Sequence, residues 1–105
     1  MHPVDPPQAE ALLDAWTNAF VIDVSPPEEF ERAHVPGAVN IPRSQLWFRM
    51  YDVPADQGVV ILVYDTHGQR SLAAALQLRD EGYYRVYALR GGLDAWRAAG
   101  LPVAP

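Results

Sequence analysis

The chain has 105 residues and no cysteine. That excludes disulfides, thiolate metal ligands and every reaction that runs through a cysteine nucleophile. Lysine is absent too, so all eight basic residues are arginine; nothing about function follows from that. Positive charge is the scarcer sign, eight residues against thirteen acidic ones, for a net charge of −5. A broad nucleic-acid surface is therefore not expected. No apolar run is long enough to span a membrane, and no basic, apolar, small-residue leader opens the sequence. A cytoplasmic protein with no membrane contact is expected. The three histidines, His2, His34 and His67, are too scattered to suggest a metal site, and no cofactor is expected. Repeats, linkers and low-complexity segments are also missing.

Half of the residues are apolar, enough for one compact domain over residues 1–105 and too few residues for two. The centre of organisation is residues 59–82. Val59-Val60-Ile61-Leu62-Val63-Tyr64 is an apolar, β-branched run of the kind buried on both faces of a sheet. It stops at Asp65. A loop, Asp65-Thr66-His67-Gly68-Gln69-Arg70, leads to a helical stretch from Ser71 to Glu81, closed by Gly82. Strand, short loop and helix make a cradle for an anion, because loop N–H groups and the positive end of the helix dipole converge. Arg70 adds a planar cationic fork. Asp65 is the anomaly, a carboxylate where an incoming anion would sit.

Elsewhere, Asp5-Pro6-Pro7-Gln8 has capping-box spacing and opens a one-faced helix through Ala9, Leu12, Leu13 and Trp16. A short edge strand is expected at Pro3-Val4. Phe20–Val24 reads as a buried strand. Ser25-Pro26-Pro27-Glu28 repeats the capping logic for a brief helix through Arg32. Val35-Pro36-Gly37 signals a turn, Ala38–Ile41 a short strand, and Ser44 a cap for a helix over 45–50. In that helix Trp47, Phe48, Met50 and Tyr51 are expected to serve mainly the core, any remainder forming an apolar patch for a partner. Arg85–Leu89 makes the last strand and Leu93–Ala99 the last helix, between Gly91-Gly92 and Gly100. Tyr83 is expected inside and Tyr84 outside, by alternation. Strands alternating with helices imply a mainly parallel sheet covered on both faces, with its ligand site beyond the carboxyl ends of the strands. Asp23 and Asp65 both fall at that rim.

Four blocks together resemble the rhodanese-like domain family over essentially the whole chain: Ile22-Asp23-Val24 with Glu29-Phe30, His34 through Pro42, Val63-Tyr64 with the loop 65–70 and Ser71, and Gly91-Gly92-Leu93-Asp94-Ala95-Trp96. The resemblance implies a three-layer α/β sandwich around a five-stranded, mainly parallel sheet. It also implies sulfur transfer, in which a loop cysteine takes a sulfane sulfur from thiosulfate and passes the persulfide sulfur to an acceptor. Asp65 stands at the cysteine position, and a carboxylate cannot hold a transferable sulfane sulfur. Ser25 replaces an arginine common in the family and Ala33 a glycine, differences expected to affect local packing. Four residues separate Asp65 from Arg70, as in the sulfurtransferases; the related dual-specificity phosphatases of the cell cycle use five.

The candidate site is thus Asp65, Thr66, His67, Gly68, Gln69, Arg70 and Ser71, with no metal. Asp65 is expected to accept N–H bonds from its own loop, cap the helix and pair with Arg70. His67 is expected to face solvent, serving as acid or base only if a substrate reaches it; His34 is expected to be a structural hydrogen-bonder. The expected role is that of a catalytically inactive domain that binds a protein partner, through the loop rim or the Trp47–Tyr51 region, or a small anion. The alternative is a residual enzyme of sulfur- or phosphoryl-related anion chemistry using Asp65 or His67.

Overall fold

The computed structural model describes residues 3–105. Four parallel strands form the sheet: β1 (Phe20–Asp23), β2 (Val39–Asn40), β3 (Ile61–Tyr64) and β4 (Val86–Ala88), in the spatial order β2-β1-β3-β4. Four helices accompany them: α1 (Pro6–Ala15), α2 (Pro27–Arg32), α3 (Ser71–Asp80) and α4 (Gly92–Ala98). Phe20 lies opposite Ile61 and Asp23 opposite Tyr64, so β1 and β3 end level with each other.

Alternation along the strands divides the core. Ile22, Ile61 and Val63 face one way and pack with Ala74, Ala75 and Leu78 of α3 and with Leu46 and Val53. Val21, Leu62 and Tyr64 face the other way and pack with Ala9 of α1 and with Leu93 and Trp96 of α4. All four residues of β3 are buried, as an unbroken apolar run requires. Fully burying a side chain such as Leu62 or Leu78 is worth about 1.5–3 kcal/mol, so these layers fix where β3 ends and the loop begins.

The sheet has four strands, not the five expected. The fifth place, beside β4, is held by one residue: Val4 forms an isolated parallel bridge to Leu89. Its N–H donates to Ala88 O at 2.8 Å, and Arg90 N–H donates to Val4 O at 2.8 Å. The next ladder donor, two residues on, would be Pro6, which has no N–H, and the Asp5 N–H is taken by Gln8 Oε1 at 2.9 Å as α1 begins. The chain therefore turns into α1 directly after the bridge.

The expected helix over 45–50 is also different. The chain makes two 3-10 segments, Arg43–Gln45 and Trp47–Asp52, with a break at Arg49 (φ −113, ψ 24). Ser44 caps neither. Leu46 and Val53 are buried and Met50 packs against the same cluster, so the 4- and 3-residue steps between them claim the inward face. The aromatics between those steps are left outside: Trp47 is 64 %, Phe48 75 % and Tyr51 80 % exposed. They are surface, not core. Tyr83 is buried and Tyr84 exposed, as alternation requires. No helix among the described residues is long and apolar enough to cross a membrane.

Candidate functional site: the loop after β3

Asp65 follows directly on β3 and is completely buried. Its Oδ2 accepts the N–H of Gln69 at 2.9 Å and of Arg70 at 3.2 Å. Both amides lie just ahead of Ser71, so the carboxylate closes the loop on itself before α3 begins. These charge-assisted bonds use amides that would otherwise meet an external anion. Oδ1 has no hydrogen-bond partner among the described residues. Arg70 comes near without closing a bond: its Nη1 is 4.0 Å from Asp65 Oδ2, beyond hydrogen-bond range.

Thr66 ties the loop to the end of β1. Its N–H donates to Ser25 Oγ at 3.0 Å, the two hydroxyl oxygens are 3.1 Å apart, and its own hydroxyl donates to Glu29 Oε1 at 2.6 Å. Ser25 is completely buried. It does not cap α2, whose N-cap is Pro26 with no side-chain bond. Its hydroxyl is committed to the loop, and its N–H donates to Asp23 Oδ1 at 2.8 Å. The sequence assigned Ser25 to local packing and a capping box; the structure makes it the link between two strand ends.

Asp23 is buried at the end of β1. Burial pushes its carboxyl above the ordinary carboxylate range, against the lowering effect of Ser25 and Tyr64 hydrogen bonds, and the charge of Asp65 adds to the rise. Burial, then the charge of Asp23, also drives the Tyr64 phenol up. The Tyr64 hydroxyl oxygen accepts the Val35 N–H at 2.9 Å, anchoring the turn before β2.

His67 faces solvent at the outer end of the loop, and its Nδ1 lies 2.6 Å from Asp94 Oδ2. That hydrogen bond, with the charge of Asp94, raises the imidazole above the usual histidine range. Gln69 is exposed and Ser71 buried. His34 lies away from the loop: its Nδ1 bonds Phe30 O at 2.8 Å and its ring stacks on Phe30 at 3.8 Å.

The loop rests on the start of α4. Leu93 N–H donates to Asp65 O and Asp94 N–H to Thr66 O, both at 2.9 Å. Gly92 (φ +64) makes this approach possible: a β-carbon there would collide with Asp65 O and lie 2.7 Å from Gly68 N. On the other side of the contact, a β-carbon on Gly68 would lie 2.9 Å from Gly91 Cα. The structure therefore gathers all seven loop residues at the strand ends and adds Ser25, Glu29 and Asp94. The position of Ser25, immediately beyond β1, was the signal available in the sequence; Glu29 and Asp94 sit on helices whose orientation the sequence leaves open.

Among the described residues, no group of three or more His, Cys, Asp or Glu side chains is placed to hold a metal. With no cysteine in the chain, the arrangement offers no thiol to carry a sulfane sulfur. It offers a carboxylate held by loop amides, an exposed His–Asp pair and an arginine at the loop's end.

An α/β domain with an anion-cradle geometry at the ends of parallel strands is the class this fold and loop define. Residues 5–99 match the rhodanese-like domain family. A sulfurtransferase of Allochromatium vinosum is 33 % identical over 103 residues, covering 98 % of this chain and 94 % of the relative. The thiosulfate sulfurtransferase GlpE of Vibrio cholerae is 31 % identical over 100 residues, covering 95 % and 92 %. Among solved structures, a rhodanese-related protein from Thermoplasma volcanium superposes with a TM-score of 0.86 at 25 % identity, covering 99 % of this chain and 98 % of that one. A Rhodopseudomonas palustris protein of unknown function, described as a possible tyrosine phosphatase, gives 0.87 at 29 % identity, covering 99 % and 85 %. The chain belongs to the rhodanese-like domain family and is homologous to sulfurtransferases.

Proposed function

We propose that this protein is a rhodanese-like domain that does not transfer sulfur and acts as a binding or regulatory module in the cytoplasm. The observation that carries the reading is Asp65. It stands where the family resemblance places the sulfur-carrying cysteine, and its Oδ2 bonds the amides of Gln69 and Arg70. Those amides are then not free for thiosulfate, and a carboxylate oxygen forms no stable bond to a transferable sulfane sulfur. Exposed Trp47, Phe48 and Tyr51 support the binding part of the reading, since clustered exposed aromatics are informative on a small domain.

The test is an assay of the purified protein with thiosulfate and either cyanide or a thiol acceptor. No turnover above a heat-treated control is expected; sustained turnover overturns the reading. The alternative, a residual enzyme using Asp65 or His67, is favoured by the His67–Asp94 pair, which could hold an imidazole in one orientation. Turnover of an anionic ester that His67→Ala abolishes would establish that alternative.

A further inference from the structure

A groove of about 480 Å³ opens beside the loop, between the start of α2 and the 3-10 segment after β2. That is a volume typical of small-molecule sites. Val24, Pro26, Pro27 and Pro42 supply its apolar wall. The prolines are stiff and bring no N–H groups, so that wall offers shape and apolar contact but no backbone donors from those three residues.

The charge in the groove runs against the rest of the molecule. The chain carries a net charge of −5, yet the charged residues lining the groove are Arg43 and Arg70, with no acidic residue among them. Arg43 is braced, its Nη1 donating to Gln77 Oε1 of α3 at 2.9 Å. Arg70 lines the groove with a partly exposed side chain whose guanidinium makes no hydrogen bond among the described residues; its inner Nη1 stops 4.0 Å from Asp65. A guanidinium without an acceptor at a groove offers its remaining N–H groups to an oxygen of opposite charge.

We infer that this groove binds a small organic anion, its carboxylate or phosphonate-type head on Arg43 and Arg70 and its apolar body against the proline wall. The inference deepens the reading of the domain as a binding module and rests on it. It also sets the ligand apart from the inorganic oxyanions that a free loop would take. With the Gln69 and Arg70 amides bonded to Asp65, the head group lacks those two loop donors, and the apolar body must supply the remaining affinity.

The test is a 15N NMR titration with phenylphosphonate, benzyl alcohol and inorganic sulfate. Phenylphosphonate is expected to shift the backbone amides of Arg43, Ser44, Gln45 and Arg70 saturably. Sulfate and benzyl alcohol are each expected to bind about tenfold more weakly or worse, since each lacks one of the two contacts. Arg70→Ala should weaken phenylphosphonate binding by about tenfold. Gln45 is exposed, so Gln45→Glu adds a repelling charge at the groove without disturbing the core, and it too should weaken binding. Absence of saturable shifts at these amides overturns the inference. So does benzyl alcohol or sulfate binding as tightly as phenylphosphonate, or phenylphosphonate affinity unchanged in Gln45→Glu. Failure of the binding-module reading shows separately, as sulfur-transfer turnover by the unmodified protein.

Discussion

The Asp65 carboxylate and the Arg70 guanidinium stop 4.0 Å apart, although the backbone N–H of the same Arg70 donates to that carboxylate at 3.2 Å. Two parts of one residue thus meet Asp65 differently. The amide holds the loop shut, while the guanidinium lies beside the groove. A partly exposed ion pair at this distance contributes little to stability, well under about 1 kcal/mol. Loop closure at the strand ends therefore rests mainly on the amide bonds and on the backbone contacts to α4.

Gly92 should be the least replaceable residue of that contact. An alanine there must adopt φ +64 and place its β-carbon against Asp65 O. The left-handed conformation costs roughly 1–2 kcal/mol, and overpacking a fixed backbone adds about 1–3 kcal/mol. Gly37 is the control, with φ +84 and nothing within 4 Å of its would-be β-carbon. Denaturant unfolding should show Gly92→Ala more damaging than Gly37→Ala by at least about 1 kcal/mol. Equal losses would mean that α4 can move away from the loop at no cost.

The His67–Asp94 pair gives a pH dependence with a definite sign. The folded imidazole titrates above its ordinary value, chiefly through its hydrogen bond to Asp94. Its contribution is present in full below the unfolded histidine pKa, near 6.5, and is lost as pH rises through the folded value. Both side chains are more than half exposed, so salt should screen the interaction and global stability should move little. An NMR titration of the imidazole is the suitable measurement. A midpoint above the ordinary histidine value is expected, returning toward it in Asp94→Asn. A midpoint that the Asp94 substitution leaves in place would show that another charge sets it.

Much of this was legible in the sequence, and the exceptions have physical causes. The β3 run, the stop at Asp65 and the helix from Ser71 could be placed because local pattern and tertiary position agree there. The Val4 strand could be located but not measured, since its length depends on where the chain turns into α1 at Pro6. The aromatics of 47–51 were misplaced because a short apolar helix was expected to turn its bulkiest residues toward the sheet. Leu46, Met50 and Val53 take the inward face instead, across the break at Arg49. Ser25 was misread because a serine ahead of two prolines and a glutamate looks like a helix cap; its real acceptor role is to Thr66, 41 residues away, a separation no local pattern reports.

The sharpest test of how much of the sulfur-transfer apparatus survives is to restore the thiol. Asp65→Cys would place sulfur where the carboxylate now accepts the Gln69 and Arg70 amides, and the same donors and helix dipole would favour a thiolate. Thiolate attack on the sulfane sulfur of thiosulfate forms a Cys–S–S bond, breaks the thiosulfate S–S bond and releases sulfite with its electron pair. Mass spectrometry should then find one added sulfur on Cys at position 65, removable by cyanide. Asp65→Ala is the complementary variant. It leaves the two amides without their acceptor, and by analogy with a lost helix cap it should lower stability by about 1–2 kcal/mol. A folded Asp65→Cys protein that stays unmodified would show that the domain has lost more than its nucleophile. Ser25, committed to Thr66 in place of the family's common arginine, would be the first residue to change next. An Asp65→Ala variant as stable as the parent would show instead that the loop keeps its shape through Gly92 and the α4 amides, without help from the carboxylate.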